Sequence, residues 1–286
     1  MAVTFVAAST LGSVAVNPPT VNLTLPALEV NDIIVIHIMS KNISLTGPGQ
    51  ANEINVPSGY TETGTRLTIN AAANADDMHT AMFWKRAVAG DSGASVTCSR
   101  GGTSTLNLAA IATVWRGAVK SGDPFDTTGI VTNGDITVDN DVDFAAFDPT
   151  ATDVHVIYLG WHADDGTTAA NFTNDGTTFT VRNDQESSVG SDLSVFTWSA
   201  DRNGNALAAV APSIGGTAGS SIGYTYALLP GGGGTASDDV LVRFGSLDAT
   251  TGSGLVTTSF AATGGAAAVV GGMMMFHYVD VVQGAT

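Results

Sequence analysis

Four pairs of residues recur in the same order along the chain at nearly constant separation. Phe5 and Phe125 lie 120 positions apart, and Asp32 and Asp153 lie 121 apart. Trp84 and Trp198 lie 114 apart, as do Gly117 and Gly231. A repeat of this length belongs to two similar domains, or to two halves of one sandwich, rather than to a short-period solenoid. Between the markers run apolar, β-branched stretches too short for ordinary helices: 33–39, 78–84 and 106–115, then 154–159, 193–198 and 222–229. Gly, Asn, Asp or Ser residues bound each of them, as expected of strands joined by turns. Each half therefore reads as an opening Phe strand, a turn Asp, an apolar strand, a long polar loop, a Trp-ending strand, a Gly-rich turn and a closing aromatic strand.

This pattern predicts an all-β fold of two tandem jelly-roll-like β-sandwich repeats plus a C-terminal β extension. Repeat one covers 1–119 and repeat two covers 125–230, with the turn formers of 120–124 as the junction. Residues 231–237 read as a flexible linker. Residues 238–286 form a hairpin-rich tail for docking or assembly. At 49 residues the tail is too short to hold a core alone, so it docks on repeat two or on a neighbouring subunit. Lys and Pro, which often blunt sheet edges, are rare, and cover by a second copy of the chain would protect the edges.

Composition sharpens the picture. The 286 residues carry a formal net charge of −16, from 26 acidic and 10 basic side chains. The acids are 22 Asp against 4 Glu, a turn-forming rather than helix-forming choice. The charge is therefore read as solvated loop carboxylates, and it argues against nucleic acid as a partner. A single Cys excludes an internal disulfide framework and a Cys-based zinc site. Residues 1–16 lack the basic start of a secretory signal. Residues 255–279 carry no formal charge but are broken by Gly, Thr and Ser, and they read as hairpin strands rather than a membrane span.

Residues that could carry chemistry are few. His162 stands beside Asp164 and Asp165, a grouping able to hold a metal or move protons, or simply a strand ending in an Asp-Gly turn. His37 and His155 lie inside apolar runs and read as satisfied structural groups. Asp139, Asp141 and Asp143 alternate like half of a calcium loop. However, Phe144 and Thr150 occupy the Gly and Glu places of an EF-hand, which leaves only a looser calcium site. Cys98 reads as a buried thiol. No catalytic residue and no cofactor is expected. Exposed aromatics can stack on sugars, and Trp161 and Tyr60 are the candidate glycan contacts. Met273, Met274, Met275 and Phe276 cannot all face one side of a strand. They are either a partner or subunit contact or a fully buried central strand.

Short motifs accompany the repeat: Leu25-Pro26-Ala27-Leu28-Glu29-Val30-Asn31-Asp32, Val56-Pro57-Ser58-Gly59-Tyr60, Phe83-Trp84-Lys85-Arg86 and Val114-Trp115-Arg116-Gly117. The succession resembles β-sandwich virion proteins of tailed bacteriophages and related bacterial surface modules. In repeat two, Asn174-Asp175-Gly176 and Leu229-Pro230-Gly231 replace the second and last motifs. The resemblance implies a non-enzymatic virion structural protein. It would decorate a capsid or form a head or tail appendage, with copies of itself and capsid or tail proteins as partners and no membrane. A tail adhesin or carbohydrate-binding module recognising a host glycan is the alternative reading. A glycan hydrolase using Asp164 or Asp165 is the third.

Overall fold

Strand residues dominate the chain because both faces of its apolar runs find cover. A computed structural model describes residues 2–16, 19–42, 54–69, 77–101, 106–163, 166–187, 193–202 and 206–231. The fold is all-β, and no helix occurs among the described residues. Repeat one contributes β1 (Thr4–Ala8), β2 (Gly12–Val16), β3 (Thr20–Thr24), β4 (Ile33–Asn42), β5 (Thr61–Ile69), β6 (Asp77–Arg86), β7 (Ser95–Ser99) and β8 (Leu106–Arg116). Repeat two contributes β9 (Val131–Asp139), β10 (Val154–His162), β11 (Gly166–Ala169), β12 (Phe172–Asn174), β13 (Thr177–Glu186), β14 (Ser194–Arg202), β15 (Ile214–Gly216) and β16 (Gly219–Leu228).

The repeat seen in sequence is a repeat of topology. One six-stranded antiparallel sheet has the order β1-β8-β4-β6-β5, with β2 also on β8. The other has the order β12-β13-β14-β10-β16-β9. Position for position, β8, β4, β6 and β5 match β16, β10, β14 and β13. The opening strand differs: Phe5 lies in β1, whereas Phe125 makes an isolated bridge to Leu228 and β9 takes the edge beside β16. Phe125 instead packs edge-on against Trp84 at 5.8 Å and Tyr226 at 5.7 Å.

The repeats are not independent. Residues 1–233 form one compact unit. A single apolar cluster joins Ile33, Val35, Met39, Ile111 and Trp115 to Ile157, Leu159, Trp161, Ile222, Tyr224 and Leu228. The two large sheets thus face each other. A second cluster lies on the far side of the first sheet, where Ile34, Ile36 and Ile38 pack under Val21 and Leu23 of the β3–β7 pair. A third lies on the far side of the second sheet, where Tyr158, Phe196 and Trp198 pack under Val142, Phe144, Phe147 and Leu207. This four-layer stack explains the unbroken apolar runs. A central strand covered on both faces has no solvent side to make polar, and every residue of β10 and β16 is buried.

Three of the edge strands, β1, β5 and β9, are bulged, whereas β2 and β12 pair in continuous register. The central ladders β4–β6, β4–β8, β10–β14 and β10–β16 run in continuous register. The ladders joining β1, β5, β9 and β13 each carry a register shift. In β5 three residues between Thr63 and Leu67 oppose Ala81 alone; in β9 three between Asp135 and Asp139 oppose Ser220 alone. Such bulges twist a strand away from edge-to-edge pairing. At β1, β5 and β9 these bulges offset the scarcity of Lys and Pro.

The turn Asp of repeat one has a structural task. Asp32 is buried and accepts a bidentate pair from Arg116, at 2.9 Å from Nε and 2.8 Å from Nη2. The Glu29 N–H also donates to Asp32 Oδ2 at 2.8 Å. Arg116 belongs to the Trp115-Arg116-Gly117 motif, so two distant motifs meet in one ion pair. Repeat two has Pro230 where the arginine would stand, and Asp153 is exposed. Asp32→Asn is expected to cost about 2–3 kcal/mol, below the full range for a broken buried pair because Arg116 keeps partial solvent access. Asp153→Asn should stay within about 0.5 kcal/mol of the unchanged chain. Urea unfolding of the two variants checks the difference.

Candidate functional site

A cleft opens on the outer layer of repeat one, and Tyr60 lines it. Its volume is about 230 Å³, and its walls include Leu25, Ser58, Lys85, Asp91, Val96 and Thr97. Local structure positions each group. Pro57-Ser58-Gly59-Tyr60 closes a turn through Tyr60 N–H to Pro57 O at 3.1 Å, with Gly59 at φ 80°, a conformation that favours glycine. The turn delivers the Tyr60 ring onto the Cys98, Leu25 and Phe83 cluster. Lys85, next to last in β6, donates to Asp91 Oδ1 at 2.7 Å, while the other Asp91 oxygen accepts the Val88 N–H at 2.7 Å. Lys85 Nζ stands 5.9 Å from the centre of the Tyr60 ring. Tyr60 itself is only 8% exposed, and its hydroxyl has no hydrogen-bond partner among the described residues. Burial, with Asp91 nearby, pushes its phenol well above the usual range, so the ring stays neutral.

Trp161, the other expected glycan contact, is not a surface platform. Its side chain has no exposure and lies between the two large sheets, opposite Val195 on one neighbour and Ile222 on the other. The sequence places it at the end of an apolar run, but β10 continues through His162 with both faces covered. Trp115 and Trp198 are equally buried.

The histidines divide by environment. His155 Nδ1 is 2.7 Å from Asp201 Oδ1, and its ring tilts against Trp115 at 5.3 Å. Burial lowers its pKa even though Asp201 works the other way. His162 Nε2 lies 3.1 Å from the Asp139 carbonyl. His37 departs from the expectation of a satisfied structural group. It is buried at the sheet–sheet interface between Tyr224 and Tyr226, and neither ring nitrogen has a hydrogen-bond partner among the described residues. Desolvation drives its pKa down to about 3, so it is held neutral. Cys98 is buried, and burial pushes its thiol up to about 12, away from nucleophile chemistry.

The alternating carboxylates crowd one another in a partly buried setting. Burial, and then neighbouring Asp139, raises Asp141 to about 6; burial, and then Asp135, raises Asp143 to about 6. Among the described residues no group of three or more His, Cys, Asp or Glu side chains converges as metal ligands. The sign of the pH effect follows. Both carboxyls hold protons more tightly folded than unfolded, where the value is about 4. The stability these two carboxyls contribute at low pH is therefore lost as pH rises through roughly 4 to 6. Asp143→Asn is expected to raise the melting temperature by a few degrees at pH 8, with the gain vanishing near pH 4. Thermal melts across that range check it.

Several sequence candidates fall elsewhere. Asp164 and Asp165, Met273, Met274, Met275 and Phe276, and all of 238–286 lie outside the described residues. No helix among the described residues is long and apolar enough to cross a membrane. The Lys85–Asp91 pair was not singled out by sequence, although Lys85 stands inside the Phe83-Trp84-Lys85-Arg86 motif. Its partner six residues on becomes a neighbour only through the turn that Asp91 itself caps. Comparison with known protein families, with curated proteins and with solved structures finds no match to the chain.

Proposed function

We propose that the chain is a non-enzymatic structural protein of a virion, a capsid decoration or surface-appendage protein that assembles with copies of itself and with capsid or tail proteins. The supporting observation is the fusion of two repeats into one four-layer block with an apolar cluster shared between them. Such a block is rigid, because close-packed layers transmit strain rather than absorb it. The short motifs that resemble phage virion proteins have structural work in it, as the Asp32–Arg116 pair shows. Acidic turns on its surface would keep particles dispersed.

The bulges at β1, β5 and β9 favour the C-terminal segment over those sheet edges as the assembly element. Residues 255–279 carry no formal charge, and Met273, Met274, Met275 and Phe276 within them are of the adaptable apolar type that suits protein contacts. Light scattering compares the full chain with a chain ending at Gly231. The full chain is expected to form oligomers and the shortened one to remain a monomer. The same mass per particle for both would overturn the tail-driven reading. Negative-stain images of the full chain then distinguish closed oligomers from extended ones.

A further inference from the structure

We propose that the Tyr60 cleft binds one sugar ring of a glycan as a neutral polyol, independently of the structural role above. Size is the first argument. A volume of about 230 Å³ is below that of sites for drug-sized ligands and suits a single ring.

Charge is the second. Lys85 and Asp91 are both at the wall, and each already has the other as partner at 2.7 Å. An anion entering the cleft would meet the Asp91 carboxylate, which its bonds to Lys85 and to the Val88 N–H hold in place. An amine would meet Lys85. A neutral ligand meets neither penalty, and adjacent hydroxyls of a sugar can accept from the ammonium and donate to the carboxylate at once. The pair is only partly exposed, with side chains 24% and 13% accessible, so its geometry is set before a ligand arrives.

The third argument is the mixture of surfaces. Val96, with the small part of Leu25 and Tyr60 left exposed, gives the cleft an apolar side for the C–H groups of a pyranose, while Ser58, Ser95 and Thr97 line it with hydroxyls. Repeat two lacks the arrangement. Asn174-Asp175-Gly176 replaces the Pro57–Tyr60 turn, and Thr177 follows where Tyr60 would stand. The cleft thus belongs to the first repeat among the described residues.

Saturation-transfer NMR on the full chain tests this with the methyl glycosides of glucose, galactose, mannose and N-acetylglucosamine. At least one is expected to bind, with a dissociation constant on the order of millimolar, the range for a single small ring. Lys85→Met is expected to weaken it about tenfold, equivalent to one charge-assisted hydrogen bond. Ser58→Trp, in an exposed turn at the mouth, should block binding with the melting temperature unchanged. That variant keeps the test decisive if Lys85→Met fails to fold. No transfer from any glycoside, binding that survives Ser58→Trp, or binding of inorganic phosphate or methylammonium in competition with the glycosides would overturn the proposal.

Discussion

Trp161→Ala is expected to lower the unfolding free energy by about 3–5 kcal/mol, the range for deleting a large buried aromatic. The indole sits between the two large sheets, so its loss opens a cavity in the only apolar cluster that joins the repeats among the described residues. Its N–H has no hydrogen-bond partner there. Trp161→Phe removes that orphaned donor along with part of the volume, and it should cost under about 2 kcal/mol. The contrast separates a core role from a surface one. Were Trp161 a binding platform, both substitutions would leave the urea midpoint in place.

Gly223→Ala is expected to be nearly as damaging, at about 3 kcal/mol, the upper end of the usual overpacking range. Gly223 pairs with Gly160 across the β10–β16 ladder. A methyl group at 223 would lie 2.2 Å from the Asp143 carbonyl oxygen and 2.6 Å from Phe144 Cδ1. At Gly160 it would lie 2.5 Å from Val142 Cγ1. The two glycines leave a groove in an otherwise filled sheet, and residues 142–144 lie over it. Phe144 then reaches Tyr158 at 4.8 Å and Trp198 at 6.0 Å. The obstacle at 223 is backbone, which no rotamer change relieves. A soluble, cooperative Gly223→Ala variant with an unchanged midpoint would show that the outer layer moves freely.

Much of this architecture is legible along the chain. Strand positions follow from apolar runs bounded by turn formers, and the Asp, Trp and Gly markers correctly align the two halves. Gly117 and Gly231 keep their spacing for a steric reason that sequence hints at. A methyl at Gly117 would meet the Ala2 carbonyl at 2.3 Å, and one at Gly231 would meet that of Ala118 at 2.5 Å. The Gly231 N–H also donates to the Gly117 carbonyl, so the two repeat ends are tied to each other.

Other features were not legible. His37 and His155 look alike in sequence, each a histidine in an apolar run. The second has Asp201 opposite it in register, and the first has only aromatic rings and aliphatic neighbours. In sequence, Trp161 and Tyr60 are equal candidates for ligand contact. One faces a second sheet; the other borders a cleft. Strand periodicity reports which residues share a face, but not what lies against that face.

The division has a physical basis. Hydrogen-bonding demand and side-chain alternation act over neighbouring residues, so sequence alone determined the all-β class, the strand positions and the repeat. Burial on both faces depends on which layer stacks on which. Those contacts join residues more than a hundred positions apart, as when Lys41 Nζ donates to the Ala163 carbonyl or Gln185 bonds to Ser9. Only the tertiary structure decided that the repeats share a core, that Trp161 belongs to it, and that Tyr60, Lys85 and Asp91 meet at one cleft.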